Sequence, residues 1–479
     1  MTFASLPFLS LFLPFSLVLV LILGKRLANP SLLLASLLFY GLNDIQGLPV
    51  LIVSILWNYG VGFVLSQGGT RCRIFSLSLG TGGNLLLLGF YKYADFFWES
   101  LGRFMPFVAQ EYTLPGIHQP LGVSFFTFQA ISYLIDLYRN TIKFDRNLFR
   151  FGLYLAIFPH LIAGPIIRYG EIAGQLLSCH ITVELFARGL RRFIKGLGKK
   201  MLLANLFAGV VDRIFSLPVD QLGLSTAWFG AFLYSLQIYY DFSGYTDMAI
   251  GIGMLFGFQF PENFNYPYAA SSIRDFWRRW HITLSSWFRD YLYIPLGGSR
   301  GSTIRTHLNL ILVFVLCGLW HGASWNFLIW GGLHGMCMVA ERIGLEQLLA
   351  RGSRLLQHSY VLAVLMASWV LFRMENMSEA FLYLRCMFWP SGSTMLSAYP
   401  PGFFMNIELG MAIAVGVMFS FPWWRAITRK GGMGMRWMNG WGLALGGTMA
   451  VDGVLILILV AGLMEIAAGG HHPFIYFQF

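Results

Sequence analysis

The chain has 479 residues, of which 56% are hydrophobic and 11% are charged, and its mean hydropathy is +0.62. Soluble domains carry about 25% charged residues, so this composition excludes an ordinary water-soluble protein. The 33 Lys and Arg against 22 Asp and Glu give a net charge of +11. These basic residues lie in short loops between apolar runs, which argues against a nucleic-acid partner.

Apolar runs that reach or approach the length of a membrane span recur along the whole chain. They predict an all-α polytopic membrane protein with roughly ten to twelve transmembrane helices, and the shorter runs indicate re-entrant or interfacial helices. Residues 1–479 are predicted to form a single membrane domain with a short C-terminal tail at about 468–479. The clearer runs are Phe8–Gly24, Leu48–Ser66, Ile74–Tyr91, Leu121–Leu137, Phe151–Ile167, Ala227–Phe258, Leu308–Leu319 with Trp325–Ala340, Tyr360–Phe372, Ile407–Phe421 and Leu443–Ala467.

The ends of these runs predict how the chain sits in the membrane. The first run lacks a small-residue cleavage site and leads directly into Lys25 and Arg26, so it is predicted to be a retained helix and not a signal peptide. Basic loops such as Arg188–Lys200 are predicted to face the cytoplasm. The sequence Gly89–Tyr93 is typical of an interfacial anchor. The five cysteines show no paired metal-ligand spacing, and we predict no metal site and no bound cofactor.

Polar chemistry is concentrated between Asn263 and His334. The loop that begins at Asn263 contains Pro267, which a helix is unlikely to cross. After it, Ser271 or Ser272 can cap a new helix, and apolar residues at three-and-four spacing predict one amphipathic helix over residues 273–288. His281 borders the apolar face of that helix. Its other face is basic and includes Arg278 and Arg279, which we predict to face water or a phosphate group.

A second polar site lies between two apolar half-spans, at His321. A buried imidazole at such a break is a functional candidate, because it needs a partner or a cavity. If the helix continued to His334, the intervening residues would rotate about 220°, and only one of the two histidines could face a given pore. His321 is the better candidate. An imidazole can act as a general base at neutral pH, but no carboxylate lies close in sequence to complete a serine-hydrolase triad.

Four segments together resemble the membrane-bound O-acyltransferases, and within that family the alginate O-acetyltransferase branch. The segments are FPHLIAGPIIR at Phe158–Arg168, DFSGYTDMAIG at Asp241–Gly251, the block Trp277–Gly298, and GLWHGA at Gly318–Ala323. The resemblance implies a ring of helices around a central tunnel, with His321 as the catalytic histidine at its waist and His281 as the second histidine. Trp320, Arg278, Arg279 and Asn263 are the predicted substrate-binding residues. Asp241 and Asp247 are interpreted as ion-paired, for example with Arg168.

The resemblance also implies a reaction and a location. The expected activity moves an acetyl group from a cytoplasmic thioester such as acetyl-CoA to an exported polysaccharide, in the bacterial inner membrane. Periplasmic acetyltransferases of the SGNH-hydrolase type and membrane lipid are the expected partners. Two alternatives stay open: transfer of D-alanyl or another acyl group to a cell-envelope polymer, and a transporter or flippase that uses the buried histidines for a proton or substrate path.

The tail offers one further candidate, Tyr476, which carries the only hydroxyl of residues 469–479. The tail resembles the C-terminal end of a small membrane peptide that accompanies the bacterial D-alanyl transferase. That resemblance implies that Tyr476 takes the acyl group before the polymer does. A phenol is a weak nucleophile at neutral pH, so it would need a base such as His321 beside it.

Overall fold

A computed structural model of the protein describes residues 1–104, 116–178, 180–389, 399–423, 441–470 and 474–475. All regular elements in these ranges are helical. The α-helices are α1 Leu13–Asn43, α2 Leu48–Gln67, α3 Thr70–Leu88, α4 Ala94–Phe104, α5 Val123–Tyr138, α6 Leu148–Ala156, α7 Phe158–Leu161, α8 Tyr169–Leu177, α9 Val183–Gly198, α10 Asn205–Phe215, α11 Leu224–Leu255, α12 Ile273–Trp277, α13 Ile282–Phe288, α14 Thr303–His321, α15 Trp325–Ala340, α16 Glu346–Ala350, α17 Arg354–Arg373, α18 Met377–Phe388, α19 Pro401–Phe404, α20 Ile407–Phe419 and α21 Trp441–Ala467. Single π-helical turns occur at Phe8–Phe12, Gly89–Tyr93, Lys199–Ala204, Arg289–Tyr293 and Glu341–Leu345, and 3-10 turns at Val219–Gln221 and Pro267–Ala269.

Within the described ranges, 5 helical segments have the length and apolar composition to cross a membrane. They are Leu48–Gln67, Thr70–Gly102, Thr303–His321, Arg354–Arg373 and Met449–Ala467, and the shorter apolar helices are Phe8–Gly24, Leu27–Asn43 and Ile407–Phe419. The first predicted run ends at a bend, because Gly24 interrupts α1 with a φ of 66°. The prediction of an all-helical membrane protein is confirmed, and the ring of ten to twelve spans stays a prediction.

Helix α11 lies at the centre of the described structure and corresponds to the predicted run Ala227–Phe258. Most of its residues are buried, since α9, α10 and α17 pack against it. Two glycine pairs allow the close approach of α9, because a side chain at Gly251 would meet the Gly189 carbonyl and one at Gly244 would meet that of Gly196. This close packing makes α11 a rigid support for the polar groups that it carries.

Both aspartates of α11 form ion pairs, as the sequence predicted, but neither contacts Arg168. Asp241 pairs with Lys200 at 2.6 Å, and both side chains are buried. Asp247 bonds Arg192 and Lys199, with Lys199 Nζ at 2.7 Å. Arg168 instead pairs with Asp290 at 2.8 Å. The predicted partner was wrong because the π-helical turn at Lys199–Ala204 places its own lysines against α11.

The predicted amphipathic helix over residues 273–288 is two helices, and this prediction was wrong in its continuity. Ser272 caps α12 by accepting a hydrogen bond from the Asp275 amide at 3.0 Å, as predicted. The helix then ends, because His281 adopts a left-handed backbone with a φ of 43°. The Asn263 carbonyl accepts the Ile282 amide at 3.0 Å across the break. The loop that begins at Asn263 therefore packs where helical hydrogen bonds are missing.

Candidate active site

The hairpin of α14 and α15 places His321 at the last residue of α14. The side-chain Nδ1 lies 2.7 Å from the Cys317 carbonyl oxygen, one turn earlier in the same helix. Because a carbonyl can only accept, Nδ1 must carry the proton, and the basic lone pair of the neutral ring is on Nε2. Gly322 then leaves the helix with an extended backbone, and α15 begins at Trp325. The imidazole is 4% exposed, so it is held in a defined tautomer inside the protein.

The carbonyl groups at the end of α14 are satisfied mainly by the π-helical turn Gly89–Tyr93. The last four carbonyls of an α-helix have no partner within the helix. Lys92 Nζ donates to the carbonyls of Trp320 and His321 at 2.7 and 3.2 Å. The Tyr93 hydroxyl donates to the Leu319 carbonyl at 3.0 Å. The interpretation of this turn as an interfacial anchor was therefore wrong: Lys92 and Tyr93 point inward and cap the helix that carries His321.

His281 is the second buried imidazole of the site, and it lies where α12 and α13 meet. Its Nδ1 is 3.2 Å from Asn263 Oδ1. The same oxygen accepts the Thr283 hydroxyl at 2.9 Å, so Asn263 orients the ring and is fully buried itself. The His281 ring lies 6.0 Å from that of Trp320, centroid to centroid. Trp320 also packs against His321 at 5.1 Å, so one indole contacts both histidines.

His334 lies in the same aromatic shell, although it belongs to the other helix of the hairpin. The Trp330 ring is 5.0 Å from His321 and 4.9 Å from His334. The Trp277 indole donates to His334 Nδ1 at 3.3 Å. The condition of a continuous helix is not met, because the chain reverses between α14 and α15. The rings of His321 and His334 therefore both pack against Trp330 and do not face opposite directions.

A cavity of about 480 Å³ opens beside this shell and is lined by α12, α13, α14 and the turn Glu341–Leu345. Four arginines line it: Arg274, Arg278, Arg289 and Arg342. Its apolar lining includes Trp277, Val313, Phe314 and Cys317. Cys317 is the residue whose carbonyl bonds His321, so the cavity reaches to within one helical turn of that imidazole. Its polar lining is mainly basic and suits an anionic ligand with an apolar end.

The predicted arginines differ in where they lie. Arg278 lines the cavity, is exposed, and makes no ion pair with any residue that the structure describes. Arg279 is not among the described lining residues; it pairs with Asp275 at 2.9 Å. Arg289 pairs with Asp290 at 2.6 Å. Burial alone would raise the pKa of Asp290, but hydrogen bonds from Arg289 and Arg168 outweigh it and hold that pKa below its ordinary value.

Phe474 and Ile475, in the described part of the tail, are buried on the His281 side of the site. The Ile475 amide donates to Asp241 Oδ2 at 2.8 Å, and Asn205 donates to the Gly470 carbonyl at 2.7 Å. The Phe474 ring lies 5.9 Å from Phe242, which in turn lies 4.8 Å from His281. Tyr476, the predicted relay residue, lies outside the described residues. Ile475, the residue immediately before it, is held by Asp241, and Phe474 is linked to His281 through the Phe242 ring.

Sequence reasoning missed two groups at the site. Lys92 lies far from His321 in sequence, and a lysine within an apolar run was the available signal. Glu341 accepts the amides of Ile273 and Arg274 at 2.5 and 3.0 Å, which fixes the start of α12 beside the cavity. In the described ranges, no group of three or more His, Cys, Asp or Glu side chains could hold a metal ion.

Comparison with known proteins identifies the family of the chain. Residues 139–347 match the MBOAT, membrane-bound O-acyltransferase family. The chain is 38% identical to the probable alginate O-acetylase AlgI of Pseudomonas putida over 100% of both chains. It is 37% identical to the peptidoglycan O-acetyltransferase of Helicobacter pylori over 79% of this chain and 78% of that protein.

A more distant similarity is to the teichoic acid D-alanyltransferase of Bacillus subtilis, at 29% identity over 50% of this chain and 63% of that protein. The named activities of these three relatives are all acyl transfers. The 38% identity to the Pseudomonas putida protein over the full length of both chains establishes the family. The chain belongs to the membrane-bound O-acyltransferase family, and it is an O-acyltransferase.

Proposed function

We propose that the protein transfers an acetyl group from a cytoplasmic thioester, such as acetyl-CoA, toward hydroxyl groups of an exported polysaccharide such as alginate or cellulose. The observation that carries this proposal is the position of His321. It is buried, its Nδ1 is bonded to the Cys317 carbonyl, and Cys317 lines an arginine-rich cavity. The full-length similarity to probable alginate O-acetylases favours acetyl over other acyl groups.

The cavity suits a thioester donor of the coenzyme A type. Arg278 and Arg342 would bind the phosphate groups, since guanidinium groups form charge-assisted hydrogen bonds with phosphate oxygens. The apolar lining near Trp277 and Phe314 would hold the thioester arm. Such a division keeps the charged part of the donor at the basic lining, while the acyl group reaches the residues around His321.

The proposed chemistry at His321 is general base catalysis. Nε2 accepts the proton of an attacking hydroxyl, whose oxygen forms a bond to the thioester carbonyl carbon. The carbon–sulfur bond then breaks, and the proton passes to the departing thiolate. His281, oriented by Asn263, would bind or orient the hydroxyl-bearing substrate from the Trp320 side. Trp320 would contact the acyl group, because its ring packs against both imidazoles.

Tyr476 is the proposed intermediate acceptor of the acetyl group. Its phenol oxygen would bond to the thioester carbonyl carbon while His321 takes the phenol proton, and the C–S bond would break as the thiolate leaves with that proton. The aryl ester would later pass its acetyl group to an extracytoplasmic hydroxyl, whose proton returns to the phenol oxygen. The buried position of Ile475 supports this role, because Asp241 bonds its amide. Tyr476→Phe keeps the ring and removes the oxygen, so we expect donor consumption to uncouple from polymer acetylation. Polymer acetylation at the wild-type level would rule the relay out.

The anchoring of the tail can be tested separately from its chemistry. Asp241→Asn weakens the acceptor for the Ile475 amide and removes the charge that pairs with Lys200. Asp247→Asn is the matched control: it removes a paired carboxylate on the same helix that contacts Arg192 and Lys199 instead of the tail. We expect Asp241→Asn to lower polymer acetylation more strongly. Equal effects would mean that the tail anchor has no part in transfer.

The location and partners follow from this reaction. We propose that the protein spans the bacterial inner membrane, with the basic cavity open to the cytoplasm, and that periplasmic SGNH-type acetyltransferases pass the group onward. The 29% identity to a teichoic acid D-alanyltransferase supports a second candidate, D-alanyl transfer to a cell-envelope polymer. Consumption of acetyl-CoA against that of a D-alanyl thioester by the purified protein separates the two. A transporter or flippase would consume neither.

The decisive experiment removes the base. His321→Ala should lower transfer by at least about 100-fold, the usual contribution of a general base. The matched control is His358→Gln. His358 lies on α17, a different helix from that of His321, and bonds the Ala270 carbonyl. Both proteins are measured for acetyl-CoA consumption after reconstitution at equal amounts. Near-normal consumption by a well-inserted His321→Ala protein would refute the assignment.

A further inference from the structure

Two buried tryptophans beside His321 carry indole N–H groups that find no acceptor. Trp320 is 3% exposed and Trp330 is 0% exposed. The Nε1 atom of each has no hydrogen-bond partner among the residues that the structure describes. Leaving a buried donor unpaired costs about 1–3 kcal/mol, so two such donors in one shell call for an explanation.

Several other indoles of the protein find an acceptor, although the buried Trp369 has an Nε1 atom that is also without one among the described residues. Trp287 donates to the Phe128 carbonyl at 3.0 Å, and Trp228 donates to the Met387 carbonyl at 2.8 Å. Trp277, which belongs to the same aromatic shell, donates to His334. The fold therefore can supply acceptors to buried indoles, and it does not do so at the two that flank the proposed base.

The position of the two donors relates them to the reacting group. The Trp320 ring lies 5.1 Å from the His321 ring, and the Trp330 ring lies 5.0 Å from it. They come from different helices, α14 and α15, and the planes of both rings are steeply inclined to the imidazole, at 88° and 69°. In the proposed reaction, the attacking hydroxyl is hydrogen-bonded to His321 Nε2. The acyl group that it attacks must therefore lie within this aromatic shell.

We propose that the indole N–H groups of Trp320 and Trp330 donate to the carbonyl oxygen of the acyl group and stabilise the oxyanion of the transfer reaction. The inference rests on the proposed role of His321. As the hydroxyl oxygen bonds to the carbonyl carbon, the electron pair of the C=O double bond moves onto oxygen, and His321 takes the hydroxyl proton. Collapse of the oxyanion restores the double bond and expels the thiolate, which receives that proton.

Neutral indole donors suit a buried site of this kind. Donors that are fixed before the reaction stabilise developing charge without reorganisation, and they act more strongly where water is excluded. An indole has one hydrogen-bond donor and no acceptor, so two tryptophan side chains cannot form a hydrogen bond with each other. Before the acyl group binds, the two donors are unpaired. The carbonyl oxygen of the acyl group then provides their acceptor.

The test compares Trp330→Phe and Trp320→Phe with the control Trp287→Phe, whose indole already has an acceptor. Removing one oxyanion donor lowers kcat by about 100–1000-fold in other enzymes. We expect a loss of that order for Trp330→Phe with the KM for acetyl-CoA nearly unchanged, because the interaction is made chiefly in the transition state. Trp287→Phe should keep wild-type kcat.

A tryptophan isostere separates hydrogen bonding from packing. Benzothienylalanine at position 330 keeps both fused rings and replaces the unpaired N–H by sulfur, so the thermal stability of the protein should not fall below that of the wild type. The same loss of kcat is expected, and wild-type kcat in this protein would overturn the proposal even if Trp330→Phe misfolds. If His321→Ala is inactive while the isostere is fully active, the donor role fails alone. If His321→Ala is active, the proposed function itself fails.

Discussion

Replacing Lys92 by methionine removes the cap of helix α14, which carries His321, while keeping a flexible side chain of similar length. The carbonyls of Trp320 and His321 lose their donor, and the Ser124 hydroxyl loses a contact at 3.4 Å. An unsatisfied buried polar group costs about 1–3 kcal/mol. Two unsatisfied carbonyls therefore lower the free energy of unfolding by about 2–6 kcal/mol. The net loss is smaller, because the variant no longer has to bury an ammonium group.

The consequence for activity follows from the position of His321 beside these carbonyls. A misplacement of a reacting group by about 1 Å can lower a rate by about 100-fold. We therefore expect Lys92→Met to lower acetyl-CoA consumption strongly in protein that is still inserted. Lys92→Arg keeps a cation with several donors and should recover part of the rate.

Two measurements decide this prediction: the initial rate of donor consumption at saturating acetyl-CoA, and thermal unfolding of the same sample. Tyr93→Phe is the matched control, since it removes one neutral donor, to the Leu319 carbonyl. Its expected cost is about 1 kcal/mol, with a much smaller effect on rate. A Lys92→Met protein with wild-type rate and wild-type melting temperature would refute the capping role.

Three further predictions concern other parts of the molecule. His281→Ala should lower turnover in a folded protein, and an unchanged rate together with inactive His334→Ala would mean that His334 is the second histidine of the reaction. Gly331→Val should destabilise the α14–α15 hairpin by about 1–3 kcal/mol, because a side chain there would overlap the Phe314 carbonyl, whereas Gly332→Ala meets only Val315 at 3.9 Å and should melt like the wild type. Burial raises the pKa of Asp145, but hydrogen bonds from Arg150, the Asn147 amide and Tyr169 outweigh it and lower that pKa. Its carboxylate therefore stabilises the fold above the unfolded pKa of about 3.9, and this stabilisation is lost as the pH falls through the lowered folded pKa. The wild type should melt at a higher temperature than Asp145→Asn at pH 7, and the difference should disappear in acid. A difference that persists in acid would contradict this reasoning.

The sequence was most informative where the cost of burying a polar group is high. Apolar runs predicted the helical membrane class, and an imidazole between two half-spans identified His321 as a candidate. Ser272 was predictable as a cap because capping depends on residues three positions apart. These inferences needed only local spacing and the known cost of burial.

Other features could not be predicted because they depend on contacts between distant segments. Periodicity from residue 273 to 288 gave no sign of the left-handed backbone at His281, which the distant Asn263 loop holds in place. The role of Lys92 likewise depends on carbonyls far along the chain. Spacing also could not show that the chain reverses after His321, so the proximity of His321 and His334 to Trp330 was not foreseen.

The Tyr245 ring has a bearing on how the protein is made. Phe3 stacks on it at 4.9 Å and Phe474 at 4.4 Å, so segments from opposite ends of the sequence meet on one residue of α11. The ribosome releases Phe474 only after α11 and α21 have been synthesised. The segment that includes Phe474 must then fold back against helices that are already inserted. Completion of this interior thus comes after synthesis of α11 and α21, and newly made chains pass through a stage in which the binding place for Phe474 is open.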